Sequence, residues 1–487
     1  MSRINDNLAG LWTRLGPRFL PFADAATPEL PLGRLLRLSL FQVTVGMAIV
    51  LLIGTLNRVM IVELGVPASL VAVFVSLPLV FAPLRALIGF RSDTHRSVLG
   101  WRRVPYLWFG TLIQFGGFSI MPFALILLSG DSNAPTWVGY AAAGLAFILV
   151  GAGLHTVQTV GMALATDLAP KHARPRVVAL LCMMLLVGMV ASAVIFGALL
   201  ANFSQIRLIQ VIQGAAVVTM ALNIAALWTQ EARNPARTTR DAPQQSFKAS
   251  WQAFLGQGER SRRHLVAIAL GTIAFSMEDV LLEPYGGLVL GLSVGATTAL
   301  TALLAAGSAV GLALAARQLG QGADAYRVAA YGTLAGLFAF TAVICAAPSG
   351  SALLFGIGTA LIGFGAGMFA HGTLTASMNL TYGDETGMSL GAWGATQASA
   401  AGLAIASGGL ISDFVSGLGA RGLLGPVLTT PATGYVAVYM IEIVMLFVTL
   451  AALGPLVRPT SEKQQQSADD LALNPMTVLD TANGGLR

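Results

Sequence analysis

Long apolar stretches alternate with short polar ones along most of the chain, and this pattern predicts membrane-spanning helices. A helix needs about 20 mainly apolar residues to cross a bilayer. Twelve stretches meet this length, at 37–60, 68–90, 104–129, 137–166, 177–201, 206–228, 264–290, 295–316, 328–347, 351–380, 388–415 and 433–457. Unpaired backbone groups are costly in lipid, so such stretches must be helical. We therefore predict an all-α membrane protein with twelve transmembrane helices, here called spans 1 to 12.

Composition supports a membrane protein. The chain is 55% hydrophobic and 10% charged, with a mean hydropathy of +0.74, whereas a soluble domain carries about 25% charged residues. The 55 glycines suit close packing between helices in a bilayer. Both cysteines, Cys182 and Cys345, fall within predicted spans, so a disulfide framework is not expected.

Basic residues lie almost entirely on one side of the predicted membrane topology. Every Lys and Arg except Arg58, Arg85, Arg207 and Arg421 falls in the two termini or in loops on the same side as the termini. Basic loops stay in the cytoplasm, so both termini are predicted to be cytoplasmic. The pI near 9.6 then reflects contact with the anionic leaflet and is not evidence of a nucleic-acid partner.

Polar segments divide the chain into five parts. We predict a cytoplasmic N-terminal segment with an interfacial amphipathic helix (1–36), a six-helix half (37–228), a cytoplasmic linker (229–263), a second six-helix half (264–457) and a disordered cytoplasmic tail (458–487).

Two short echoes suggest that the halves are repeats. Glu63–Pro67 after span 1 resembles Leu290–Val294 after span 7, and Phe147–Leu154 in span 4 resembles Leu361–Met368 in span 10. Membrane transporters are often built from such repeats.

The charged loop after span 2 has the form G-x-x-x-D…G-x-R-R and resembles the loop that major facilitator transporters place there. Its candidate gate residues are Asp93, Arg96, Arg102 and Arg103. They could hold one conformation through ion pairs, or serve only in topology and membrane anchoring. Six residues separate Asp93 from Gly100 where the usual pattern has two, and the matching loop after span 8 (Arg317–Gly320) lacks the acidic residue. Ordinary alternating access is therefore in doubt.

Span 7 carries three acidic residues, Glu278, Asp279 and Glu283, and charges inside a span are functional candidates. The repeat aligns Asn57 and Arg58 of span 1 with Glu283 and its neighbour Pro284, so Arg58 is the expected partner of Glu283. The group is interpreted as a proton relay, a docking site for a polar headgroup, or a structural ion pair. Arg85 in span 2 is expected to extend towards the cytoplasmic face, with a role in a cavity as the alternative.

Two histidines lie deep in predicted spans, His155 in span 4 and His371 in span 10. Neutral imidazole is a common metal ligand, so either could bind the magnesium of a chlorin; the alternative is a hydrogen-bonded packing histidine. Phosphate-loop, H-E-x-x-H, C-x-x-C and G-x-S-x-G motifs are absent from the sequence, so neither an enzyme nor catalytic or metal-site residues are predicted.

Four sequence blocks resemble the light-harvesting assembly proteins of purple phototrophic bacteria, the bacteriochlorophyll delivery branch of the major facilitator superfamily. The blocks are Pro21–Pro31, Thr55–Gly65, Gly89–Pro105 and Asp279–Gly287. The resemblance implies the major facilitator fold, with two six-helix halves, in the inner photosynthetic membrane. It implies antenna polypeptides as partners, with bacteriochlorophyll synthase and reaction-centre assembly components as further candidates.

The resemblance also implies a function in antenna assembly. We expect a membrane chaperone for light-harvesting antenna polypeptides, with the core antenna favoured over the peripheral one. Non-covalent, transient bacteriochlorophyll is the candidate cofactor. The alternative is an alternating-access transporter of pigment or a small solute.

Overall fold

The computed structural model describes residues 30–81, 85, 88, 91, 92, 95, 100–130, 135–170, 174–232, 259–379 and 386–457. All regular secondary structure in these ranges is helical, and eleven of the helices are long and apolar enough to cross a membrane. The predicted all-α membrane fold is confirmed. The predicted amphipathic segment, most of the linker, the C-terminal tail, Asp93 and Arg96 lie outside the described residues.

The N-terminal half contains spans 1 to 6. Their bounds are Leu32–Ile49 continued by π-helical turns at Val50–Leu56 and Val59–Glu63, then Ala68–Ser76 with a 3-10 turn at Leu77–Phe81, Val104–Leu128, Thr136–Leu168, Arg174–Leu199 and Gln205–Leu227. Beyond residue 81, the described residues of predicted span 2 are 85 and 88, and both are helical.

The C-terminal half contains spans 7 to 12. Their bounds are Glu259–Ala274 with a 3-10 turn at Glu278–Val280 and a second helical segment at Leu282–Leu288, then Val294–Gly320, Ala325–Ser349, Ala352–Asn379, Thr386–Ala420 and Thr433–Leu453. Span 8 runs through Gly320, so the residues equivalent to the charged loop form its last turn and not a separate loop.

Spans 1 and 7 lie at the centre of the bundle. In their most apolar windows, 83% of span 1 and 61% of span 7 are buried, against 28% of span 8. The outer spans instead present large apolar side chains, among them Phe338, Leu353 and Phe414, as expected for a surface that faces lipid. Polar residues on spans 1 and 7 are therefore held inside the protein.

The first sequence echo corresponds to the same turn in both halves. Gly65 and Gly291 have φ values of +65° and +66°, a left-handed conformation that glycine adopts without steric cost. Each is followed by a residue, Val66 or Leu292, whose amide donates to the carbonyl oxygen six residues earlier, at 2.9 and 3.0 Å. This hydrogen bond closes each helix end around a left-handed glycine and spans one residue more than the 6→1 bond of the Schellman motif.

The glycines of the second echo make backbone contacts, but not at aligned positions, since Gly153 aligns with Gly367 and Gly151 with Gly365. A Cβ atom at Gly153 would lie 2.6 Å from the Gly110 carbonyl oxygen, and one at Gly365 would lie 2.6 Å from the Gly332 carbonyl oxygen. Spans 3 and 4 thus pack backbone against backbone, and spans 9 and 10 do the same. The two halves share an internal packing pattern, which supports their origin as repeats.

Close glycine contacts also join the halves. A Cβ atom at Gly295 of span 8 would lie 2.6 Å from the Gly197 carbonyl oxygen of span 5. On the opposite side of the bundle, a Cβ atom at Gly409 of span 11 would lie 2.8 Å from the Ala68 carbonyl oxygen of span 2. Helix association in lipid depends on such packing, because lipid tails supply no hydrophobic driving force between helices.

We predict that Gly363→Ala destabilises the protein. The Cβ atom of the alanine would lie 1.9 Å from the Leu304 carbonyl oxygen. A backbone oxygen cannot rotate out of the way as the end of a flexible side chain can. Overpacking costs about 1–3 kcal/mol, so the thermal midpoint of the purified protein should fall. Gly116→Ala is the control, since its Cβ atom would meet no atom within 4 Å. Equal midpoints for the two variants would contradict close packing of spans 8 and 10.

Candidate functional site

Span 7 is broken where its three acidic residues lie. The first helical segment ends at Ala274, and the second begins at Leu282 after the 3-10 turn. Pro284 stands in the first turn of the second segment, where a missing N–H is tolerated. A residue with an N–H at this position could donate to the carbonyl of Val280, four residues earlier. Pro284 therefore leaves a backbone acceptor in the membrane that needs another donor.

Asn57 of span 1 supplies donors to the break. Its Nδ2 lies 3.3 Å from the Asp279 carbonyl oxygen and 3.3 Å from the Val280 carbonyl oxygen. Asn57 is fully buried, and the helix is π-helical on both sides of it, a local form that is often found at functional sites. The side chain of one half thus stabilises exposed backbone in the other half.

The predicted ion pair between Arg58 and Glu283 is wrong. Arg58 instead pairs with Glu63 of its own helix. The physical reason is the π-helical winding of span 1, in which the hydrogen bonds link residues five apart; this places Glu63 on the same face as Arg58. The guanidinium still lies beside span 7, because a Cβ atom at Gly287 would be 3.3 Å from Arg58 Nε.

Glu283 has a neutral partner. The Thr301 hydroxyl of span 8 donates to Glu283 Oε1, and Glu283 as a whole residue is only 3% exposed. Gly54 of span 1 makes room for it, since a Cβ atom there would lie 2.7 Å from Glu283 Oε1. Glu283 therefore sits between spans 1, 7 and 8, in contact with both halves.

Glu442 of span 12 is a site residue that the sequence reasoning missed. The Glu278 amide donates to Glu442 Oε1 at 2.7 Å, and both side chains are buried. A single acidic residue in the apolar run from 440 to 446 was the available signal, by the same rule that singled out the acids of span 7. Tyr285 of span 7 stacks edge-on against Tyr439 and Tyr435 of span 12, with ring centroids 5.4 and 5.6 Å apart.

Two further polar contacts cross between the halves near this site. The Ser69 amide in the first turn of span 2 donates to Asp413 Oδ2 of span 11 at 2.7 Å, a charge-assisted cap on a helix N-terminus. The hydroxyls of Thr55 and Thr298 lie 3.4 Å apart between spans 1 and 8. Polar side chains and close glycine contacts therefore both hold the halves together here.

The described residues of the charged loop contact other residues of the N-terminal half. Arg102 and Arg103 pair with Asp167 at the end of span 4, at 3.0 and 3.1 Å. The Glu231 carboxylate after span 6 accepts the amides of residues 102 to 104, at 2.8 to 3.2 Å. These contacts tie the start of span 3 to the ends of spans 4 and 6. Asp93 and Arg96, the other gate candidates, lie outside the described residues.

The two deep histidines lie in different halves. His155 is 8% exposed, and its Nδ1 has no hydrogen-bond partner among the described residues. Near it, Arg85 donates to Gln158 Oε1 at 2.8 Å and to Thr159 Oγ1 at 3.0 Å, so this arginine binds span 4 where extension towards the cytoplasm was expected. His371 is half-buried.

His264, predicted at a span edge, is a buried hydrogen-bonded residue. Its Nε2 lies 2.7 Å from Ser377 Oγ, and its Nδ1 lies 3.2 Å from the Tyr326 hydroxyl. Both ring nitrogens are therefore engaged, and His264 joins spans 7, 9 and 10 as a packing residue.

Comparison with known proteins gives consistent matches over most of the chain. A family model described as "PUCC protein" matches residues 55–461. An "Uncharacterized protein in puhA-bchM intergenic region" of Rhodobacter capsulatus is 56% identical, over 92% of this chain and 94% of that protein. "Protein PucC" of Cereibacter sphaeroides is 52% identical, over 94% of this chain and 98% of that protein.

A solved structure with the same fold is a bacterial homologue of the human lysosomal transporter Spinster in an inward-facing, unoccupied conformation. It has a TM-score of 0.64 and 16% identity, covering 86% of this chain and 95% of that one. At this identity the likeness concerns the fold alone. The predicted major facilitator fold is confirmed.

We predict that Arg58 couples energetically to Glu63 more strongly than to Glu283. Double-mutant cycles with Arg58→Met, Glu63→Gln and Glu283→Gln, scored by the free energy of unfolding in detergent, should give a coupling of about 0.5–3 kcal/mol for Arg58 with Glu63. The Arg58 with Glu283 cycle is the matched comparison and should give a smaller value. A larger coupling of Arg58 with Glu283 than with Glu63 would contradict this prediction and would support the pairing expected from the sequence.

Proposed function

Because the chain belongs to the PUCC protein family, which is involved in forming light-harvesting complexes, we propose that it is an assembly factor for a bacterial antenna complex. The observation that carries this proposal is the 52% identity to a PucC protein over nearly the whole of both chains. The core antenna is our first candidate, and the peripheral antenna is the other. The protein acts without catalysing a reaction, as a chaperone for antenna polypeptides in the membrane.

We place the protein in the bacterial inner membrane with both termini in the cytoplasm. The asymmetry of basic residues supports this orientation. Its partners in this proposal are antenna polypeptides, and bacteriochlorophyll synthase and reaction-centre assembly components are further candidates.

A groove on the lipid-facing surface supports binding of a partner helix. It has a volume of about 580 Å³ and lies between spans 1, 5 and 6. Ile195 and Leu199 on its rim are 54% and 53% exposed, and a Cβ atom at Gly214 would meet no atom within 4 Å. Exposed small residues let a second helix approach closely in a membrane, and Arg207 and Gln210 offer polar contacts in the same groove. We assign it to a single-span antenna polypeptide.

We predict that deletion of the gene lowers the level of one assembled antenna complex while its transcripts and pigment synthesis persist. Membrane absorbance separates the core from the peripheral antenna. Wild-type protein should restore the absorbance, and Gly214→Phe should restore it several-fold less, because its ring fills the groove. Gly116→Phe is the matched control, since it also has free space for its Cβ atom. Unchanged antenna absorbance after deletion would contradict the proposal.

Bacteriochlorophyll is a candidate ligand on the basis of the chemistry of His155. Its buried Nδ1 lacks a hydrogen-bond partner among the described residues, and a neutral imidazole nitrogen suits a chlorin magnesium. The fit is partial, because His155 is enclosed and does not line the groove between spans 1, 5 and 6. His371 is the more accessible ring. The pigment, when bound, would supply the magnesium to which the imidazole nitrogen donates its lone pair.

We predict that His155→Phe or His371→Phe lowers co-purified pigment several-fold at unchanged protein yield. Loss of one axial bond removes affinity, while apolar contacts with the helices remain. Absorbance of the preparation in mild detergent, divided by protein content, is the measurement. His264→Phe is a poor control, because both ring nitrogens of His264 are hydrogen-bonded and the substitution would remove these bonds. A wild-type preparation from a pigment-free strain therefore sets the baseline. Undiminished pigment in the double variant would exclude a histidine ligand.

A transporter of pigment or a small solute is the second candidate. It is favoured by the acidic residues buried in spans 7 and 12, since intramembrane acids often mark ion pathways. Uptake of labelled solute or pigment into proteoliposomes distinguishes it from a chaperone, which would bind antenna polypeptides without net transfer across the bilayer.

A further inference from the structure

Two buried glutamates, Glu278 and Glu442, lie at the break in span 7 without a basic partner among the described residues. Glu278 is 1% exposed and Glu442 is 0% exposed. Glu442 Oε1 accepts the backbone amide of Glu278 at 2.7 Å, so the Glu442 carboxyl group lies against the backbone at Glu278. The second oxygen of each carboxyl group has no hydrogen-bond partner in the described part of the chain.

A third polar group at this place also lacks a partner. The Tyr439 hydroxyl is fully buried and makes no hydrogen bond with the described residues. Tyr439 stands one helical turn before Glu442 on span 12, so the two side chains share a face. Buried polar atoms are seldom left unsatisfied in native proteins, and three of them together mark a place where a further proton or ligand is needed.

The charges around the pair do not neutralise it. Span 7 adds Asp279 and Glu283, and span 11 adds Asp413, whose Oδ2 is occupied by the Ser69 amide. Arg58, the arginine of span 1 that lies beside span 7, is paired with Glu63. From span 12, the neutral rings of Tyr435 and Tyr439 face the same region. Two carboxylates in a dry site cannot both stay ionised.

We propose that Glu278 and Glu442 form a proton-holding site at the break of span 7. The ligand is a proton, because the second oxygens of the two carboxyl groups and the Tyr439 hydroxyl provide three open oxygens, fewer than the six or so that a hard metal cation takes. With a proton bound, one carboxyl group is neutral and no longer repels the other. When the proton is lost, a negative charge is created beside the backbone that Asn57 holds, so protonation favours the closed packing of spans 1, 7 and 12. This inference does not depend on the antenna role.

Infrared spectroscopy of the purified full-length protein tests the site. Wild-type protein at neutral pH should show the carbonyl stretching band of a protonated carboxylic acid, and the band should shift in D₂O and on labelling with ¹³C-glutamate. Glu442→Gln keeps an acceptor for the Glu278 amide, so it should fold, and Glu278→Gln is its counterpart. Each single variant should lower the intensity of this band. The double variant Glu278→Gln with Glu442→Gln should remove the part of the band that persists in Glu283→Gln.

Glu63→Gln is the matched control, because Glu63 has Arg58 as a basic partner, and this substitution should leave the band unchanged. A wild-type protein without a glutamic acid band at neutral pH would overturn the proposal even if no variant accumulates. The proposal would also be overturned if the double variant lost intensity from the carboxylate bands and kept the acid band. Replacement of potassium by sodium should have no effect; disappearance of the band in sodium would overturn the proton in favour of a bound metal cation.

Discussion

A backbone carbonyl released inside a membrane must find a donor, and in this protein Asn57 provides it. Pro284 cannot donate to Val280, and the asparagine of the opposite half lies within reach of that carbonyl and of the Asp279 carbonyl. Span 7 can therefore remain broken at the centre of the bundle only while span 1 is packed against it. The π-helical winding of span 1, the pairing of Arg58 with Glu63 and the seat of Glu283 next to Gly54 all occur within one or two turns of this contact.

The halves meet in two physically different ways. Backbone-to-backbone contacts at Gly197 with Gly295, and at Gly409 with span 2, leave little space for sliding. The contacts at the centre of the bundle are few and polar, and they lie close to buried acidic side chains. A change in the protonation of these side chains therefore alters the energy of the contacts directly. A responsive element beside a rigid frame is compatible with the proposed chaperone and with a transporter.

The fold could be predicted from the sequence because it depends on patterns that are local. Span length, basic-loop asymmetry and the Gly65 and Gly291 echoes each report on a few neighbouring residues, and eleven long apolar helices appear among the described residues. The partner of Arg58 could not be predicted, because it depends on π-helical winding, which carries no local signal. Glu442 was visible as a charge in an apolar span, but its contact with Glu278 joins residues 164 positions apart. No sequence period connects them.

Hydrogen–deuterium exchange of the wild type and Asn57→Leu tests most directly whether span 1 holds the break in span 7. Leucine has a similar volume and cannot donate to Asp279 or Val280. Faster exchange confined to peptides covering residues 275–286, with unchanged exchange in spans 3, 4, 9 and 10, is the predicted result. Identical exchange across the break in both proteins would contradict it, and would mean that the break is stable without the asparagine.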